Sequence, residues 1–180
     1  MNILKNPSVL NIKTDATSLA IALEDVKNFL KIDFDDDNDF LKRLIKTASN
    51  QCETNINKTL VERTYVYSLY EVKKKFIILP YQPIKSIESI KMTKKNSDVV
   101  EFTTNDYLFD NIGGIINLKK NLDDFYRLDI EYKAGLQKID DELVHAMLIH
   151  IARMYEDRSG YSAVPLTSMN IYKKYREVKL

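Results

Sequence analysis

Five aspartates fall within seven consecutive positions: Asp33, Asp35, Asp36, Asp37 and Asp39. Four of them, Asp33, Asp35, Asp37 and Asp39, alternate as the first oxygen ligands of an EF-hand calcium loop do. That loop also needs a glycine at its sixth position and a bidentate glutamate at its twelfth. Here those positions hold Asn38 and Leu44, so calcium binding is not expected. Short carboxylates also accept from free helix N–H groups and favour the positive helix end, so the run reads as capping or a solvated face.

The two histidines, His145 and His150, are five residues apart, whereas the zinc-binding HExxH arrangement needs four. His145 is expected on the polar surface and His150 beside a core stripe. The single cysteine, Cys52, lies in an apolar helical stripe and reads as a small core hydrophobe; paired with a histidine it would need exposure and activation. Gly113-Gly114 reads as a turn, because neither a P-loop nor a dinucleotide-binding glycine pattern occurs. No catalytic, cofactor or metal residue is therefore assigned, and no enzyme activity is expected. The stretch "IYKKYREV" near the C-terminus interleaves bases with aromatics. Contact with nucleic acid, docking on a partner and a solvated end are all open readings. Ile171, Tyr172, Lys174, Tyr175 and Arg176 are the candidate docking residues. One helical turn would put Tyr172 and Tyr175 on one face, with Lys174 and Arg176 elsewhere.

Three helices and a β-rich middle carry these residues. Leu23, Val26 and Leu30 have helical spacing, which predicts a helix ending near Lys31. Phe40, Leu41, Leu44, Ile45, Ala48, Cys52 and Ile56 make one stripe of a second helix, about 37–57. Leu143, Val144, Met147, Leu148, Ile151, Met154 and Tyr155 do the same for a third, from Asp140 or Asp141 to about Arg158, with Gly160 as its stop. Leu30, Leu44, Ala48, Met147, Ile151 and Tyr155 are expected inside one core.

Between the second and third helices the period changes. "VERTYVYSLY" alternates, "KFIILP" is a short strand stopped by Pro80, and "PYQP" is a turn. "IKSIESIKM" and "DVVEF" flank "TKKNSD" as a hairpin; "YLFD", "GIINL" and "YRLDIEYKAG" complete about five to seven strands. The expected class is α+β, a small bundle of three main helices with an antiparallel β-rich insertion. The expected domains are a flexible arm at 1–17, a domain at 18–160 with the insertion at about 61–133, and a C-terminal docking extension at 161–180. Pro165 argues against one long helix there, leaving a short turn near 171–176.

The chain has 180 residues, 44% hydrophobic and 29% charged, with mean hydropathy −0.32 and net charge +1. A chain of this size buries enough surface to need no disulfide or metal. Its near-neutral charge supplies no global attraction for nucleic acid, though residues 161–180 hold Lys173, Lys174, Arg176 and Lys179 against only Glu177. No apolar run approaches a membrane span, and "MNILKNPSVLNIKTD" lacks the form of a secretory signal. One cysteine makes a reducing cytosol the expected compartment of synthesis. Eleven tyrosines suit both strands and subunit interfaces.

The order of these signatures resembles the head–tail connector (adaptor) proteins of tailed phages and phage-like gene-transfer particles. Leu23, Val26, Lys27, Leu30, Ile32 and Asp33, followed by Asp35 to Asp37, match the family's opening helix and acidic turn. Ala48 and Glu53 suit its long helix. Leu79, Pro80, Pro83, Ile84, Ile87 and Ile90 match a strand ending in leucine–proline and the strand after it. Tyr132, Ala134 and Gly135 precede the last helix as in the family. His150, Tyr155, Glu156 and Arg158 match its end, and Tyr175 with Arg176 the terminal pair. Lys31 stands where the family often has arginine, and "KKNSD" where a turn glycine is usual. The likeness spans about residues 19–176.

The resemblance implies a virion structural protein of the particle neck, made in the bacterial host cytoplasm. It implies a ring, commonly a dodecamer, assembled on the particle from subunits that are monomers in solution. The implied partners are the portal protein above and a tail or stopper protein below, with DNA passing through the lumen without sequence-specific binding and with no membrane. No cofactor is implied. The alternative from another class is a small DNA-binding or DNA-packaging accessory protein using Lys73, Lys74, Lys75, Lys91, Lys94, Lys95 and the tail.

Overall fold

The computed structural model describes residues 7–70, 75–120, 125–157 and 163–177. The chain forms two compact units. One comprises Met1–Asp15 and Glu62–Gly135, the other Ala16–Val61 and Leu136–Leu180.

The helical unit holds α1 (Leu23–Leu30), α2 (Asn38–Ile56), α3 (Asp141–Glu156) and α4 (Leu166–Tyr175). Helix α1 stops where Lys31 turns left-handed, at φ 57°, and α2 stops at Asn57 with φ 58°. Asparagine tolerates that conformation well. Helix α3 is capped by Asp140, whose carboxylate accepts from the Glu142 N–H at 2.9 Å. The core gathers Val26, Leu41, Ile45, Ala48, Cys52 and Ile56 with Ala146, Met147, Ile151 and Tyr172. Leu44 is also buried, whereas Leu30 and Tyr155 are half-buried at its rim.

Helix α4 was not expected at this length. Pro165 argues against one long helix, and it occupies the N-cap of α4, which starts just after it and is longer than the short turn expected near 171–176. Its missing N–H costs nothing at a helix start, where that donor has no partner. The apolar stripe of α4 is short, resting on the buried Ser168 and Tyr172, so its periodicity was weak in the sequence.

Among the described residues the β unit carries eight strands: β1 (Ser8–Thr14), β2 (Arg63–Tyr70), β3 (Phe76–Ile78), β4 (Ile84–Lys94), β5 (Val99–Glu101), β6 (Tyr107–Asp110), β7 (Ile115–Leu118) and β8 (Phe125–Ala134). Five form an antiparallel sheet in the order β1-β2-β8-β4-β5, and three a second sheet, β3-β7-β6. Residues 8–14, expected as part of a flexible arm, instead pair with β2 from Ser8↔Leu69 to Thr14↔Thr64. All but one of the seven residues of β1 are exposed, so burial leaves no clear trace in its sequence.

From Leu128 onward the alternation along β8 is strict: Leu128, Ile130, Tyr132 and Ala134 face the core. Tyr132 stacks on Tyr65 at 5.5 Å between ring centroids, and Tyr65 on Tyr81 at 5.8 Å. The Tyr132 hydroxyl donates to the Pro80 carbonyl at 2.8 Å. Several of the eleven tyrosines are therefore core pillars. The expected mixture of helices and antiparallel strands is present, with four helices among the described residues where three main ones were expected.

Candidate functional site

The acidic turn between α1 and α2 is a folding device. Lys27 is buried, and its ammonium donates to Asp35 Oδ1 at 2.7 Å. Asn38 Nδ2 donates to the same oxygen at 3.0 Å. The bond from Lys27, then that from Asn38, holds the Asp35 carboxyl below the ordinary carboxylate range. Asp35 in turn raises Lys27. The Tyr155 hydroxyl donates to Asp37 Oδ2 at 2.6 Å, tying α3 to the start of α2, and Asp39 pairs with Lys42 at 3.1 Å. Among the described residues no three His, Cys, Asp or Glu side chains converge as metal ligands.

Cys52 is fully buried. Burial, with Glu53 nearby, pushes its thiol up to about 12, so the nucleophilic thiolate is suppressed. His150 lies inside the core and not merely beside it. Neither ring nitrogen has a partner among the described residues, and burial lowers its pKa. His145 is exposed and meets Phe29 edge-on at 6.2 Å. Gly113 and Gly114 close the β6–β7 hairpin. Gln82 Nε2 donates to the Gly113 carbonyl at 2.7 Å, and Gly114 has φ +60°.

The proposed docking residues divide. Tyr172 is wholly buried, so in this conformation it is a core residue and not a surface anchor. Ile171 and Tyr175 are half-buried; Lys174 and Arg176 are exposed. The Tyr175 hydroxyl donates to Asp140 Oδ1 at 2.8 Å and to Glu142 Oε2 at 3.0 Å. Lys174 pairs with Glu142. Asn57 Nδ2 donates to the Glu177 carbonyl, and the Glu177 N–H to the Ile56 carbonyl. Residues 166–177 are thus bonded along α3 and the end of α2. Lys73, Lys74, Arg158 and Gly160 lie outside the described residues.

The described residues also present apolar surface. The outward faces of β3 and β6 expose Phe76, Ile78 and Leu108, and Ile112 stands 90% exposed at the hairpin tip. Strand β1 exposes Val9 and Ile12 at a sheet edge. Sequence reasoning missed both. Apolar residues in short strands look like core until the register shows which face is covered.

Residues 20–163 match the family described as head completion protein. The chain belongs to the head completion protein family. As a head completion protein it has a structural, head–tail connector role. Its fold is similar to a chain in the neck of an empty gene transfer agent particle computed with C6 symmetry. That likeness has TM-score 0.77 and 18% identity, over 96% of this chain and 97% of the other. A chain from the virion of the native gene transfer agent particle gives 0.77 and 17%, over 95% and 96%. One from the neck of the native particle computed with C12 symmetry gives 0.75 and 18%, over 96% and 97%. No curated protein matches the chain.

Proposed function

We propose that this head completion protein sits at the neck of a phage-like particle, where copies form a cyclic ring that joins the capsid vertex to the tail. The observation that carries this is the family match over 20–163, together with one fold shared along nearly the whole chain with components of symmetric necks. The buried Cys52 and His150 and the bonded aspartates leave the surface as the working part, which suits a structural subunit and not an enzyme. The portal protein and a tail or stopper protein are the neighbours in this reading, and DNA crosses the lumen without sequence-specific contact. The portal-side docking role of the tail rests on the exposed Lys174 and Arg176, with Tyr172 holding α4 in place behind them.

The test is deletion of the gene in a particle-producing strain. Electron microscopy should show filled or leaking heads without tails, with tails restored by the gene in trans. Tailed, infectious or transducing particles in the deletion strain would sink the proposal.

A further inference from the structure

The five-stranded sheet has two edges, β1 and β5, and they differ in chemistry. The Pro7 carbonyl accepts from the Tyr70 N–H at 2.9 Å, in the same register as Ser8↔Leu69. In an antiparallel ladder such bonded pairs alternate. The main-chain groups of Val9 and Asn11 therefore turn toward β2, and those of Ser8, Leu10 and Ile12 turn away from the sheet. At the other edge the Phe102 N–H donates to the Ile90 carbonyl and the Lys94 N–H to the Asp98 carbonyl. With Met92↔Val100 in register, Val99 and Glu101 are the residues whose main-chain groups face outward.

Each edge also carries apolar side chains that a further strand would cover. Ile12 is 54% exposed and Val9 47% on β1, and Val99 is 61% exposed on β5. Natural sheets usually guard such edges with charge, proline or bulges. Here β1 has one charge, Lys13, and one bulge near its end; β5 has one charge, Glu101. Lys13 is already paired with Glu131 at 2.7 Å and Glu101 with Lys91 at 3.8 Å, so what the two edges offer each other is outward main-chain groups and exposed apolar side chains. Pairing β1 with β5 joins two different patches, as a closed ring requires. Pairing β1 with β1 joins identical patches and stops at a dimer.

We infer that neighbouring copies join edge to edge, the outward groups of β1 in one copy bonding the outward groups of β5 in the next, so that the sheet continues from subunit to subunit. The inference rests on the ring reading above and names the contact that builds it. The short β5 makes each junction weak in isolation, because only Val99 and Glu101 offer outward groups. Assembly then depends on many junctions closing together on the particle.

The experiment uses Ile12→Pro and Glu101→Pro in the full chain. Each removes one outward N–H and leaves the inward ladder bonds in place. Each variant should keep the wild-type circular dichroism. Each should enter purified particle necks roughly two- to tenfold less well than wild type, the order of effect expected from one lost main-chain bond per junction. If a proline disturbs folding, Ile12→Lys and Val99→Lys at the exposed side chains should show the same loss. Normal incorporation of all four variants into wild-type-like rings would overturn the edge contact and leave the ring reading standing. Wild-type necks holding no ring of this chain would overturn the ring reading itself.

Discussion

Ser168 Oγ donates to the Ala146 carbonyl at 2.7 Å, and both residues are fully buried. The bond links α4 to the middle of α3, two helices 22 positions apart at these residues. One turn further along α4, Tyr172 fills the space beside Cys52. The C-terminal helix is therefore part of the hydrophobic core of its unit.

Truncation after residue 160 should accordingly lower the thermal midpoint of the helical unit clearly, because it uncovers the Cys52 and Ile56 side of α2. The milder Ser168→Ala should cost about 0.5–1.5 kcal/mol, the net value of a typical internal hydrogen bond. Urea unfolding of the three proteins checks both. A truncated chain as stable as wild type would show that α4 is a dispensable appendage.

His150 predicts an acid-sensitive core. Its folded pKa is lowered by burial, while in the unfolded chain it titrates at about 6.5. Above that pH the residue is neutral in both states and imposes no penalty. As pH falls below it, the unfolded chain takes up a proton that the core refuses, so stability declines toward the folded pKa. His150→Leu should remove that decline. Thermal melts at pH 5.0 and 7.5 should differ less for the variant than for wild type; equal differences would place the acid sensitivity elsewhere.

A second pH effect has a different window. The hydrogen bond from Tyr175 holds Asp140 below the ordinary carboxylate range, and the bond from Lys174, then that from Tyr175, does the same for Glu142. Groups so lowered stabilise the fold above about pH 4 and lose that contribution as pH falls through their folded values. Tyr175→Phe should be less stable than wild type at neutral pH, with the two curves converging in acid. A gap that stays constant down to pH 2 would mean the hydroxyl acts by packing alone.

Where burial repeats with the period of the element, the sequence was readable. Leu41, Leu44, Ile45 and Ala48 announced α2, and Leu128, Ile130 and Tyr132 announced β8. Strand β1 was not legible because its residues are mostly exposed and its order comes from main-chain bonds to β2, which leave little mark on side-chain type. Helix α4 was hidden by Pro165 and by a core contact made by a serine, a residue usually read as surface. The aspartates read as caps or a solvated face; Asp37 does hold the N-cap position of α2 but makes no side-chain cap bond, and its pairing with Tyr155, like that of Asp35 with Lys27, needed the tertiary contacts of α3 and α1. The docking face was only half legible, since the spacing of Tyr172 and Tyr175 gives a shared side without saying whether that side is covered.

The hairpin tip of the small sheet offers a sharper test of the β unit. Gly114 sits at φ +60°, which costs a residue with a side chain roughly 1–2 kcal/mol. A Cβ there would also lie 2.6 Å from Gln82 Nε2, the donor that holds the Gly113 carbonyl. Gly114→Ala should therefore be destabilising for two separable reasons, backbone strain and displacement of Gln82. In a Gln82→Ala background the clash is gone and only the backbone strain remains. The double variant should thus lose less than the sum of the two single variants, since the hydrogen bond can be lost only once. Urea unfolding of the four proteins in this cycle gives the coupling directly. Strict additivity would mean that Gln82 swings aside without cost, and that the Gln82–Gly113 bond does not hold the tip.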